Sequence, residues 1–169
     1  FASGFVLSSS SGEKSVSPDE ALQKLIDGNR HFVEDTLTNA ARSNAAIRAS
    51  LANSQKPYAI ILSCSDSRVP PEIIFDKGLG EIFVIRVAGN VPDPIVLGSI
   101  EYAVEHLGST LIMVLGHERC GAVTATVDAK GKSTGSKNID AIVQEIEPSI
   151  NVAANDCAAC KDEIDCAAT

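Results

Sequence analysis

The chain has 169 residues, 44% of them hydrophobic, and a formal charge of −8. That is enough for one domain with a real core, and it lacks the clustered Lys and Arg that nucleic-acid binding by counterion release requires. No apolar stretch approaches the roughly 20 residues needed to cross a bilayer, so a small-molecule partner fits the composition best.

Residues 1–16 are rich in Ser and Gly and are expected to form a flexible arm. Phe1 stands where an initiator Met would. Export, another processing step and a cut fragment all fit that start, and a cytoplasmic location is expected, with export after signal removal as the alternative. Order is expected from Ser17-Pro18-Asp19-Glu20, where a Ser cap, a Pro at the first helical position and a Glu three residues after the cap make a capping box. The spacing of Ala21, Leu22, Leu25, Ile26 and Phe32 carries that helix to Val33, and the alanines between 41 and 52 predict a second one.

The period then changes. Tyr58–Ser63, Ile82–Val87 and Thr110–Leu115 are short continuous apolar runs that read as buried parallel strands. Pro94–His106 between them is spaced for a helix with one buried face. A further amphipathic helix is expected from Asn138, broken or kinked at Pro148. Strands alternating with helices predict an α/β domain over residues 17–169, with a central, mostly parallel β-sheet flanked by helices and an extended N-terminal helical arm. Gly78, Gly80, Gly89 and Asn90 read as turns, because no dinucleotide-binding glycine pattern occurs in the right context.

Chemistry concentrates in two segments that each follow an apolar run: Cys64-Ser65-Asp66-Ser67-Arg68 and Gly116-His117-Glu118-Arg119-Cys120. Open α/β sheets bind ligands at the carboxyl ends of their strands. Two thiolates and one imidazole are three zinc ligands, and a three-ligand site leaves a position for water or substrate, whereas structural zinc sites close with four protein ligands. If a helix begins near Gly116, His117 and Cys120 lie one turn apart and the helix amides stabilise the Cys120 thiolate. Zinc held so lowers the pKa of bound water toward about 7, which supplies a nucleophile for a small electrophile such as carbon dioxide.

Asp66 can serve as a fourth ligand or as an acceptor for the hydrogen of that water. A bidentate pair with Arg68 would hold it in the second role, and loss of the pair at acid to neutral pH would let it close the site. A phosphatase reading fails, because the spacer between Cys64 and Arg68 is too short to wrap a phosphate. Cys157, Cys160 and Cys166 in the polar tail suit disulfides, free thiols or a second metal site.

Cys64-Ser-Asp-Ser-Arg-Val69 with Gly116-His-Glu-Arg-Cys-Gly-Ala122, together with Arg86-Val-Ala-Gly-Asn90 and the capped first helix, resembles the β-class carbonic anhydrases from Ser17 to about Ala129. The resemblance implies reversible hydration of carbon dioxide to bicarbonate and a proton by zinc-bound hydroxide. One Zn2+ per subunit would be held by Cys64, His117 and Cys120, with Asp66 and Arg68 as the catalytic pair. It further implies that Gln55 donates to bound substrate, that Phe83 and Tyr102 line the apolar side of the pocket, and that the Gly121 amide contacts a bicarbonate oxygen.

A homodimer or homotetramer, with the site at a subunit interface and the N-terminal helices embracing the neighbour, is implied in the same way. Family members run further beyond the second motif and add a helix and an edge strand, so that edge is expected to be incomplete here or built differently. Two other readings stay open at this point: hydrolysis of carbon disulfide or carbonyl sulfide at the same ligands, and a zinc-containing binding protein without turnover.

Overall fold

A computed structural model describes residues 15–156. Most of the expected N-terminal arm, and Cys157, Cys160 and Cys166, lie outside the described residues. The first helix, α1 (Pro18–Val33), starts as its sequence predicts: the Ser17 hydroxyl accepts from the Glu20 amide while the Glu20 carboxylate accepts from the Ser17 amide. The predicted second helix is instead split into a 3-10 turn (Asn39–Ser43) and α2 (Ala45–Ser50). Asn44 divides them, because its side chain caps α2 by accepting from the Ile47 amide, and a capping residue takes extended backbone angles that a continuous helix does not allow.

Three parallel strands follow the apolar runs: β1 (Ala59–Cys64), β2 (Ile82–Val87) and β3 (Leu111–Leu115), in the order β2-β1-β3. The register pairs Ile60 with Phe83 and Ile112, and Cys64 with Val87. Since side chains alternate across a strand, one face carries Ala59, Ile61, Leu111 and Met113, and the other carries Ile60, Leu62, Cys64 and Val114. α1 covers the first face through the fully buried Leu25, together with Ile74 and Phe75 at the end of α3 (Pro71–Ile74). The expected arm helix therefore lies on this chain's own sheet.

α4 (Pro94–Leu107), capped by Asp93 and ended by the left-handed Gly108, meets the other face where Tyr102 packs on Phe83 at 6.4 Å between ring centroids. α5 (Gly121–Ala129) and α6 (Lys137–Asp156) close the carboxyl end of that face with Val123 and Ile146. Pro148 sits inside α6 without ending it, so of the expected break or kink the break does not occur. β3 is an edge strand, with Ile112 and Val114 49% and 62% exposed. Among the described residues no helix is long and apolar enough to cross a membrane.

A buried carboxylate ties the N-terminal segments to this frame. Asp76, only 1% exposed, accepts from the Thr38 and Asn39 amides at 2.7 Å and from the Thr38 hydroxyl at 2.8 Å, and it meets His31 Nδ1 at 2.8 Å. Burial alone would raise its pKa, but these donors outweigh burial and hold the carboxyl well below the usual carboxylate range.

The stabilisation is thus present above the unfolded-state value of about 3.9 and is lost as pH falls through and below it. Asp76 has φ 47°, a left-handed conformation that Asn also tolerates, so Asp76→Asn tests the charge and acceptor set without straining the backbone. A loss of roughly 3 kcal/mol at pH 7 is expected. Urea unfolding of both proteins should show the gap narrowing below about pH 4.

Candidate metal centre

Because β1 is the central strand, the loops leaving β1 and β3 emerge side by side at the carboxyl edge of the sheet. Cys64 is the last residue of β1, and His117 and Cys120 belong to the turn after β3. The Cys64 and Cys120 sulfurs are 3.9 Å apart, and both sulfurs and a His117 nitrogen lie within 4.8 Å of one another. Two zinc–sulfur bonds of about 2.3 Å at a tetrahedral angle put the sulfurs about 3.8 Å apart, so the spacing fits the ion.

The histidine is prepared in the same way. Its Nδ1 lies 3.0 Å from the Glu118 carbonyl, which can only accept, so the proton sits on Nδ1 and the Nε2 lone pair is left bare. Nε2 is buried and has no hydrogen-bond partner among the described residues. A buried nitrogen left so costs free energy unless something binds it, and a metal ion would.

The expected helix from Gly116 does not form. α5 begins at Gly121 with Cys120 at its cap, and the turn between His117 and Cys120 is made by Arg119 in the left-handed region, φ 54°. His117 and Cys120 converge by this turn rather than by helical spacing. The start of α5 nevertheless supplies amides: those of Ala122 and Val123 point at the Cys120 sulfur, yet burial and the adjacent Cys64 keep its pKa above the ordinary value. For Cys64, burial is again the largest influence and raises the pKa. The Gly89 amide, donating to its sulfur at 3.4 Å, together with the Asp66 amide and the neighbouring side chains, outweighs burial and brings its pKa below the ordinary value.

Gly89 was legible in sequence only as a turn. It adopts φ 69°, and a Cβ there would stand 2.6 Å from Ile146 Cδ1 and 3.0 Å from Ala122 Cβ. The absent side chain is what lets the amide approach the sulfur.

Asp66 faces Arg68. The guanidinium donates Nε to Oδ1 and Nη2 to Oδ2, each at 2.8 Å, and the Arg68 amide also donates to Oδ1. Chiefly through this pair the Asp66 carboxyl is held well below its ordinary pKa, so it is ionised at neutral pH. Oδ2 stands 4.0 Å from His117 Nε2, beside the cluster. Arg68 Nη2 also donates to the Arg119 carbonyl at 3.3 Å, joining the two ligand loops. A cavity of about 470 Å³ opens beside His117 and Cys120, bounded by Gly89, Val91, Val114 and Ile146.

The four residues assigned to substrate by resemblance are placed differently. Gly121 begins α5, next to Cys120. Gln55 is exposed and precedes β1, at the opposite end of that strand from Cys64. Phe83 is level with Ile60, four residues before Cys64, or roughly 13 Å at the rise of a strand, and Tyr102 stacks on it. None of these three lines the cavity beside the cluster.

Three converging donors, with the nearest carboxylate held by an arginine, define the class: an α/β protein with a Cys2His group able to hold a metal ion at the ends of adjacent parallel strands. Comparison with known proteins makes this specific. The carbonic anhydrase family model matches residues 59–168. A carbonic anhydrase of Mycolicibacterium smegmatis is 47% identical over 134 residues, covering 79% of this chain and 65% of its own length. Carbonic anhydrase 2 of Mycobacterium tuberculosis is equally similar, with 64% of its length covered. Among solved structures, a tetrameric beta-carbonic anhydrase of Sordaria macrospora superposes with a TM-score of 0.62 at 26% identity, over 86% of this chain and 72% of that one. The chain belongs to the carbonic anhydrase family, in its β class. It spans just under two thirds of the length of these curated relatives.

Proposed function

We propose that this protein catalyses the reversible hydration of carbon dioxide to bicarbonate and a proton, with one Zn2+ held by Cys64, His117 and Cys120. The observation that carries the reading is the 3.9 Å sulfur pair facing a buried, unpartnered imidazole nitrogen. When bound, zinc supplies polarisation that makes a water molecule nucleophilic near neutral pH.

The chain's own residues do the rest. His117 is held in the correct tautomer by the Glu118 carbonyl. Asp66, kept ionised by Arg68, presents an acceptor oxygen beside the cluster and can take a hydrogen bond that orients the attacking water. Val91 and Val114 in the adjacent cavity give an apolar surface suited to a small uncharged gas.

Gln55, Phe83 and Tyr102 lie toward the other end of the sheet, so any role they have in binding substrate is exercised in a second copy's site. This supports a homodimer or a higher homo-oligomer, and the Sordaria macrospora relative is itself tetrameric. The test is stopped-flow carbon dioxide hydration by the zinc-loaded protein beside Asp66→Asn. Activity in the wild type and a loss of about 10- to 100-fold in the variant, the usual cost of removing an orienting partner, are expected. No hydration by the zinc-replete oligomer would turn the reading to a non-catalytic zinc protein.

A further inference from the structure

Arg86 stands in β2 opposite Ser63 and has no part in the chemistry described so far. Its half-buried guanidinium donates Nε to the Cys64 carbonyl at 3.0 Å and Nη2 to the Asp66 carbonyl at 2.6 Å. Just past the end of β1 the main chain turns out of the sheet, and its carbonyls lose the ladder that would satisfy them. One rigid planar fork from the neighbouring strand satisfies two of them at once. A guanidinium does this with two donors held at a fixed spacing in one plane, whereas an ammonium's donors diverge from a single point on a flexible stem.

The two carbonyls belong to the residue that supplies one sulfur of the cluster and to the residue whose carboxylate stands beside it. Arg68 holds the Asp66 side chain and reaches Arg119, whereas Arg86 holds the main chain from which both side chains project. The Ser65 amide, bonded to the Val87 carbonyl at 3.1 Å, adds a third tie from β2 to the same short segment.

We propose that Arg86 is a positioning residue for the metal centre: its two-carbonyl clamp fixes the Cys64 sulfur for coordination and keeps the Asp66 carboxylate on Arg68 and off the metal. Any swing of that carboxylate toward the cluster that carries the 64–66 main chain with it is resisted by the clamp. The inference rests on the cluster holding a metal, and wild-type uptake is its internal control.

The experiment uses the full chain and the variants Arg86→Gln, Arg86→Lys and Arg86→Gln/Asp66→Asn. Zn2+ affinity is read by competition with a chromophoric chelator, and coordination by the visible and near-ultraviolet bands of the Co2+-loaded proteins. Arg86→Gln should weaken zinc binding by about 10- to 100-fold and shift the Co2+ bands as a carboxylate oxygen enters the coordination sphere. Adding Asp66→Asn should return the bands toward wild type, which a merely structural lesion would not do. Arg86→Lys, which lacks the planar two-donor fork, should fall between wild type and Arg86→Gln, and it carries the test if Arg86→Gln does not fold. Wild-type affinity and bands in Arg86→Lys, or a band shift in Arg86→Gln that persists without Asp66, would overturn the clamp. A wild-type chain that takes up neither metal would overturn the metal-centre reading itself.

Discussion

Replacing Cys120 with Ser is expected to abolish tight zinc binding, weakening it by roughly 1000-fold or more, about 4 kcal/mol of the ion's binding free energy. Carbon dioxide hydration should disappear with it. The substitution nearly conserves volume at a site only 3% exposed, so the fold should survive, and far-ultraviolet circular dichroism should separate loss of metal from loss of structure. What changes is the donor. A thiolate is a soft anionic ligand with a bond to zinc of about 2.3 Å, whereas a serine hydroxyl stays protonated near neutral pH and is too weak to replace it. Equilibrium dialysis that finds one tightly held zinc per Cys120→Ser chain would refute the assignment of Cys120 as a ligand.

An effect on stability as large as that of Asp76→Asn is expected away from the candidate metal centre. In an ordinary helix Gly→Ala stabilises by about 1 kcal/mol, and Gly98, in α4 with nothing within 4 Å of a built Cβ, should behave that way. Gly28 in α1 should do the opposite. It is buried where the helix crosses the end of α3, and a Cβ there would overlap the Phe75 carbonyl oxygen and stand 2.6 Å from its carbon. Backbone on both sides leaves no side chain to swing away, so α1 must lift off the sheet and loosen the Leu25 contact with Ala59 and Ile61. Gly28→Ala should therefore cost about 3 kcal/mol. Urea midpoints for the two variants, moving in opposite directions, would confirm the contrast; a stabilised Gly28→Ala would show that α1 does not pack this closely.

These cases show which parts of the molecule could be read in advance. The strands were legible because their apolar runs are short and uninterrupted, and α1 because Ser17, Pro18 and Glu20 spell out a complete cap. The cluster of Cys64, His117 and Cys120 was legible because thiols and imidazoles at strand ends have few other reasons to gather. The turn from His117 to Cys120 was not, since nothing in its residue types announces that Arg119 takes a left-handed conformation where a helix was expected. Asn44 splitting a helix that its alanines predict is the same failure on a smaller scale, a capping bond overriding propensity. Gly89, read only as a turn, and Arg86, quoted only within a resembling segment, were given no role for a different reason. Each acts through or upon the main chain, one lending its amide to a sulfur and the other clamping two carbonyls, and main-chain partners leave no mark in residue identity. Gln55, Phe83 and Tyr102 were placed by resemblance alone, and nothing in their residue types says at which end of the sheet they lie.

The cluster joins sulfurs 56 residues apart in the chain, while His117 and Cys120 are neighbours on a single turn. The local pair can capture an ion as soon as that turn exists, but the bond to Cys64 requires β1 and β3 to have come together, at the entropic cost of closing the long loop between them. If the cluster holds a metal as proposed, the second sulfur–metal bond is an optical clock for assembly of the sheet: in a Co2+-loaded refolding chain, the step from one thiolate's charge-transfer absorption to two would mark the moment at which the central strand finds its partner.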